Sequence, residues 1–276
     1  MQIKELQLYS LDENNFWQIK FDEANTQTSL FQNNKISIQF AESGTISIND
    51  QTYSTSNIAT VLEINLNKNE VDQLSLHTSD FNIKQFANIK KINFNIQRSP
   101  MQNNNKDAII SSWSSFLDIK DVAINGLVNY PLSSRLKQLS LQANVMGDFK
   151  YNDDFLISAE TWVKNGGFID IPNLVLQWKP LTLVGRGQCK FNNLLAPDIT
   201  FNTSSKGLLK LIASLQEIKA VDNKNVYVAK ILLNNKAYKL NADDEELTIT
   251  TPISYSDGKI SLDNLVIKDF NKDTQQ

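Results

Sequence analysis

Two side chains dominate any search of this chain for reactive chemistry, because each type occurs only once in 276 residues: His77 and Cys189. Histidine titrates near neutral pH and is the usual general base, and a cysteine thiolate is a strong nucleophile. A Ser-His-Asp or Cys-His centre would have to use His77, and no nucleophile or carboxylate pattern stands beside it in sequence. A zinc site with two histidines is impossible, as are an intramolecular disulfide and a cysteine cluster. Cys189 falls on the apolar side of an alternating run and fits a small buried hydrophobe. His77 fits a surface or loop residue at the end of a strand.

The remaining constellations fare no better as reaction centres. Gly185-Arg186-Gly187 supplies a GxG but lacks the third glycine and opens no helix, so it is not a dinucleotide loop. On a strand, glycines of one face permit bending or a close neighbour. Asp243, Asp244, Glu245 and Glu246 form one acidic run, without the alternating oxygens and glycine turn of a calcium loop. A solvated turn before the Leu247 strand fits them better. Asp153-Asp154 suits the start of a helix. Trp113 and Trp162 fall on helical apolar stripes and read as core, whereas Trp17 and Trp178 fall on strands, where they are free to face a groove. No catalytic residue, metal ligand or cofactor site is therefore expected.

The elements that would position these residues are mainly strands. From Leu181 the alternation is clean: Leu181, Leu183, Gly185, Gly187, Cys189 and Phe191 point one way, and Thr182, Val184, Arg186, Gln188 and Lys190 the other. Period two builds a sheet with one apolar and one wetter face. The first hundred residues hold similar short runs: Ile36/Ile38/Phe40, Ile46/Ile48, Leu62/Ile64/Leu66, Leu74/Leu76 and Ile92/Phe94/Ile96. Asn, Asp, Ser and Gly clusters separate them, the spacing of an antiparallel meander. Later strands are read at Val122–Leu127, Leu139–Val145, Leu247–Ile249 and Ile260–Leu262, the last after an Asp257-Gly258 hairpin turn.

Helical periodicity appears in four places. Ile109, Trp113, Phe116 and Leu117 predict a helix over 107–117. Phe155, Leu156, Ala159, Trp162 and Val163 predict one over 153–165, stopped by Gly166-Gly167. Leu208, Leu211, Ile212, Leu215 and Ile218 predict one over about 205–219, and 225–235 a fourth. The polar stretch 100–106, PMQNNNK, is the best boundary. The organisation expected is a β meander over 1–99, a helix-plus-strand region over 107–270 continuing the same sheet, and a disordered tail over 271–276.

Composition sets the outer limits. The content of 41% hydrophobic residues is ample for a core. A net charge of −3 gives no overall pull toward nucleic acid. Asparagine is about one residue in eight, with lysine and isoleucine also abundant, the usage of an AT-rich genome. No leader is read at the N-terminus, and no apolar run approaches the roughly 18 residues a membrane span needs.

The order of pieces from Phe155 to Phe270 resembles the DUF2125 family of alphaproteobacterial proteins. The pieces are Trp162, Gly166-Gly167, then Leu174, Leu176, Trp178, Pro180 and Leu181. Gly185 and Gly187 follow, then Ala196-Pro197-Asp198, the Leu208–Leu215 helix, Thr251-Pro252-Ile253 and Asp257-Gly258. The resemblance implies an envelope protein, periplasmic or associated with the inner membrane, with a β-rich body similar to AsmA-like proteins. Family members carry an N-terminal anchor or leader that is not read in this sequence. By that analogy the partners would be lipid or membrane proteins of the envelope.

The expected fold is mainly β: a long curved antiparallel sheet or half-barrel with a few amphipathic helices. Any sheet face left uncovered would form an apolar groove suited to acyl chains, for which the candidates are Leu174, Leu176, Trp178, Leu181, Leu183 and Phe191. The competing expectation is a scaffolding protein with a dry core and no ligand. A hydrolase is the third.

Overall fold

The computed structural model describes residues 2–3, 6–9, 17–29, 32–40, 43–48, 51–56, 59–67, 70–99, 111–126, 130–150, 154–192, 195–221, 223–239 and 246–271. The boundary read at 100–106, most of the acidic run and nearly all of the tail fall outside them. Strand accounts for 66% and helix for 15% of the structure, so the class is mainly β. The chain folds as two compact units. The first comprises Met1–Arg98, Ser115–Val128 and Ser134–Leu139; the second comprises Ser99–Ser114, Asn129–Ser133 and Ser140–Gln276.

The first unit begins with ten segments: β1 (Gln2–Ile3), β2 (Leu6–Tyr9), β3 (Trp17–Phe21), β4 (Ala24–Ser29), β5 (Gln32–Phe40), β6 (Ser43–Ile48), β7 (Gln51–Ser56), β8 (Ala59–Asn67), β9 (Glu70–Ile83) and β10 (Ala87–Arg98). They make six long antiparallel passes, because β1/β2, β3/β4, β5/β6 and β7/β8 are each one pass interrupted in its middle. Ile3 pairs with Ala24 and Leu6 with Phe21, without a change of register. The next two passes slip by one residue: Ala24 pairs with Phe40, but Phe21 pairs with Gly44. One extra residue on one strand is the count of a β-bulge, which bends the strand and strengthens its twist. The fifth pass, β9, runs through unbroken. It pairs with β8 as far as Ser79 and with β7 from Asn82. Between these lies Asp80, in the left-handed region at φ 52°.

The interruptions are where the core of this unit sits. Phe21, Ala24 and Phe40 are buried there, and Ile19, Ile38, Leu62 and Phe81 pack against them. The meander expected from the period-two runs is thus present. The bends within each pass were not marked in the sequence.

The helix predicted over 107–117 is corrected. Ser111–Ile124 is a strand, β11, followed by β12 (Arg135–Met146). Ile109 lies outside the described residues. Along β11 the fully buried positions are Ser112, Asp118 and Val122, and Phe116 is exposed. Two physical reasons favour the strand. Ser111, Ser112, Ser114 and Ser115 compete with the helical backbone for hydrogen bonds, and Ile119, Val122 and Ile124 are β-branched.

The second unit holds α1 (Phe155–Lys164), β13 (Phe168–Trp178), β14 (Leu181–Phe191), β15 (Pro197–Lys206), α2 (Leu208–Glu217), α3 (Asn223–Asn235), β16 (Ala237–Tyr238), β17 (Thr248–Ser256), β18 (Lys259–Leu262) and β19 (Leu265–Asp269). The ladder runs β13–β14–β15–β17–β18–β19, with β16 beside the first residues of β17. The helices predicted over 153–165, 205–219 and 225–235 are all present. The Asp154 carboxylate caps α1, accepting from the N–H groups of Leu156 at 2.8 Å and Ile157 at 3.1 Å. Trp162 turns inward and its indole N–H donates to Met146 O at 2.8 Å. At the β17–β18 hairpin Asp257 and Gly258 both have positive φ, 49° and 71°, the backbone that tight hairpins of this hand require.

Candidate apolar binding face

The sequence placed a candidate groove on Leu174, Leu176, Trp178, Leu181, Leu183 and Phe191. The ladder does bring most of these together: Leu176 stands opposite Leu183, Trp178 opposite Leu181, and Leu174 opposite Gly185. The expected alternation also holds, since Leu181, Leu183 and Cys189 are buried while Thr182, Val184, Arg186, Gln188 and Lys190 are exposed. The strip is not open, however. Leu181 and Leu183 join Leu208 and Ile212 of α2, Val226 and Leu233 of α3, and Ile249 and Leu262 in one buried cluster. Leu174 and Leu176 are half-buried against that cluster. Trp178 is half-buried, and its indole N–H donates to Ser133 O at 2.6 Å. Phe191 lies apart, against Trp162 at 6.0 Å between ring centroids. A cavity at the base of α3, bounded by Leu233, Thr251 and Leu262, holds only ≈ 10 Å³, about the room one water needs. In this unit the amphipathic helices cover the strip.

The GxG of β14 has a packing explanation. A Cβ at Gly187 would overlap the Thr200 carbonyl and the Phe201 ring on β15. The glycine lets the two backbones close without a side chain between them.

A different arrangement exists in the first unit. On β5, β8, β9 and β10 the even-numbered side chains form rows across the strands. Ile38 stands opposite Leu62, Leu62 opposite Leu76, and Leu76 opposite Phe94. Beside it runs a second row in which Ile36, Ile64, Leu74 and Ile96 face one another in the same order. Thr26 extends the first row onto β4. All of these side chains are half-buried, none fully. One end of the face is closed by the Phe21/Phe40 core, which touches Ile38 and Leu62. Among the described residues this unit contains no helix, so the cover that α2 and α3 provide in the other unit has no counterpart here.

The reverse side of the same strands is polar. Asn65 donates to Gln73 at 2.9 Å, Gln73 to Ser75 at 3.2 Å, and Asn95 to Ser75 at 2.7 Å. Lys35 pairs with Glu63 at 2.9 Å. His77 belongs to this side: it is exposed, with Nδ1 3.1 Å from Asn93 Oδ1. The sheet therefore separates an amide-lined wet face from an aliphatic one, as period two dictates.

Cys189 is free and buried. Burial pushes its thiol above the ordinary value, and the Asp198 carboxylate on β15 adds to the effect. Both causes favour the neutral thiol, so it is a poor nucleophile near neutral pH. Glu246, the described member of the acidic run, pairs with Lys210 of α2. Among the described residues no group of three or more His, Cys, Asp or Glu is placed to hold a metal ion. Nor is any helix there long and apolar enough to cross a membrane.

The ten-segment meander and the helix-covered sheet define a β-rich class of protein. Within that class the chain belongs to the family described as "Uncharacterized protein conserved in bacteria (DUF2125)", whose model matches residues 4–266. The match includes the N-terminal meander as well as the C-terminal region in which the motifs had been read. No curated protein and no solved structure matches the chain.

Proposed function

We propose that this chain is a non-enzymatic protein of the bacterial envelope that binds lipid acyl chains on the aliphatic face of its first unit. The observation that carries the reading is the pair of facing rows, Ile38-Leu62-Leu76-Phe94 and Ile36-Ile64-Leu74-Ile96, each half-exposed in a unit whose described residues hold no helix. Neighbouring strands lie about 4.8 Å apart, so the first row with Thr26 spans roughly 19 Å. That is comparable to the acyl layer of one leaflet, about half of a ~30 Å hydrocarbon core. Contiguous apolar surface of this extent on a soluble face marks a binding site more often than an idle surface.

The dry, helix-covered core of the second unit favours the alternative, a scaffolding protein without ligand. One experiment separates the two. Protein purified in mild conditions is analysed by native mass spectrometry and its organic extract by lipid analysis. Bound lipid is expected in the wild type, and its loss is expected in Ile64→Asp with an unchanged far-UV circular dichroism spectrum. A wild type that carries no lipid and takes up no fluorescent fatty acid would leave the scaffold reading standing.

A further inference from the structure

A cleft of ≈ 440 Å³ opens in the first unit, lined by Gln51, Thr52, Tyr53 and Ser54 of β7 and by Lys84 and Gln85 of the turn between β9 and β10. Its volume falls in the range of small-ligand sites. It lies where the pairing of two strands ends. Thr55 pairs with Ile83 and Ser56 with Asn82, and Lys84 N donates to Ser54 O at 2.8 Å. The two walls are thus tied to each other by backbone hydrogen bonds, so the cleft is formed before a ligand arrives. Gln85 holds φ at 68°, a region that glycine fills with less strain. A strained residue kept at the wall of a cleft points to a use for its side chain.

The lining states the chemistry of what would fit. The Tyr53 hydroxyl donates to Gln51 Oε1, which leaves the Gln51 amide nitrogen to donate outward. The Gln85 amide offers a donor and an acceptor side by side, and Ser54 a hydroxyl that does both. Vicinal hydroxyls of a sugar ring are the complement of such pairs. Tyr53 supplies a ring, steadied by Phe86 at 5.5 Å between centroids, and an aromatic face attracts the positive C–H edge of a saccharide. Lys84 is the only charged residue of the lining, and it forms no ion pair among the described residues. A metal ion would require carboxylates, which the lining lacks, and a nucleic-acid strand a run of cations. One ammonium among amides, hydroxyls and a ring suits a saccharide that carries one acidic group.

We propose that the cleft between β7 and the β9–β10 turn binds an acidic saccharide, with Gln51, Ser54 and Gln85 on its hydroxyls, Tyr53 against its ring and Lys84 on its carboxylate or phosphate. The proposal does not depend on acyl-chain binding, because it is tested with glycans that carry no lipid. The full chain is applied to a microarray of bacterial oligosaccharides, neutral, uronic-acid-bearing and phosphate-bearing, and the strongest glycan is then titrated calorimetrically. Acidic glycans should bind, and the array should show whether the acid is carboxylate or phosphate. Raising the salt should weaken the binding, because exposed charges are screened. Gln85→Gly removes the amide and relieves the backbone, so it should lower affinity about fivefold or more while unfolding at the wild-type temperature. Tyr53→Leu should lower affinity by a similar factor. Lys84→Gln should remove the preference for acidic over neutral glycans. Ile64→Asp should bind glycan as the wild type does, which keeps this test apart from that of the aliphatic face. A wild type that binds no glycan of the array would overturn the proposal. So would binding confined to neutral glycans, or affinity unchanged in both Gln85→Gly and Tyr53→Leu.

Discussion

The rings of Phe21 and Phe40 meet at 4.2 Å between centroids, tilted by 36°, at the point where two adjacent passes of the N-terminal meander are both interrupted. Phe21 ends β3 and Phe40 ends β5, and each is followed by the residues that change the register. The contact therefore sits at the bend and ties its two sides together. Phe40→Ala removes a buried ring that its neighbours cannot replace, and large-to-small changes of this kind cost about 3–5 kcal/mol. Equilibrium denaturation should show that loss. A cost below about 1 kcal/mol would mean that the bend is held by something other than this pair.

The register of β14 makes a paired prediction. Leu183 is 6% exposed beneath the helices and Val184, one residue on, is 46% exposed. Leu183→Asp puts a carboxylate into the cluster of Leu208, Ile212 and Ile249, so the protein should unfold or fail to accumulate in soluble form. Val184→Asp should change stability by no more than about 0.5 kcal/mol. Thermal melting of the two variants checks both. Equal effects would show the strand one residue out of register.

Cys189 gives the pH prediction. Its thiol is raised in the folded state, first by burial and then by Asp198. The folded protein thus keeps the proton to a higher pH than the unfolded chain does. Above the ordinary pKa of a free thiol the unfolded state binds fewer protons, so this group lowers stability as pH rises through that range. Cys189→Ser should flatten the alkaline limb of a stability-against-pH curve. In the native wild type, labelling by a thiol reagent at neutral pH should be slow and should become fast on denaturation.

The strands of this fold were legible because their faces differ. Ile36/Ile38/Phe40, Leu62/Ile64/Leu66 and Leu181/Leu183/Cys189 each alternate with polar residues, and a half-wet sheet writes that pattern directly into the chain. The α1 and α2 helices carried stripes, a cap or a stop of their own. The 107–117 reading failed because Trp113, Phe116 and Leu117 satisfy a helical spacing by residue type while the ladder sets their exposure. The bends at Phe21 and Phe40 carry no local mark: a bulge is an accident of counting between two strands and is visible only in their pairing. The candidate groove had the same difficulty. Periodicity shows that Leu183 and Leu62 both lie on apolar faces, but only packing shows that α2 and α3 lie over the first.

The meander also has an order in time. Each of its ladders joins passes that follow one another in the chain, so every hairpin can close as soon as its second strand leaves the ribosome, at a low cost in loop entropy. Yet the first unit is not complete at Arg98, because it also draws on Ser115–Val128 and Ser134–Leu139. The nascent chain must therefore hold an unfinished sheet, with its aliphatic rows exposed, for as long as it takes to add about forty more residues, roughly 2–8 s at ordinary rates of synthesis. During that interval the surface that defines the finished protein is also its greatest hazard, and a chaperone or a membrane close to the ribosome would have its opportunity there.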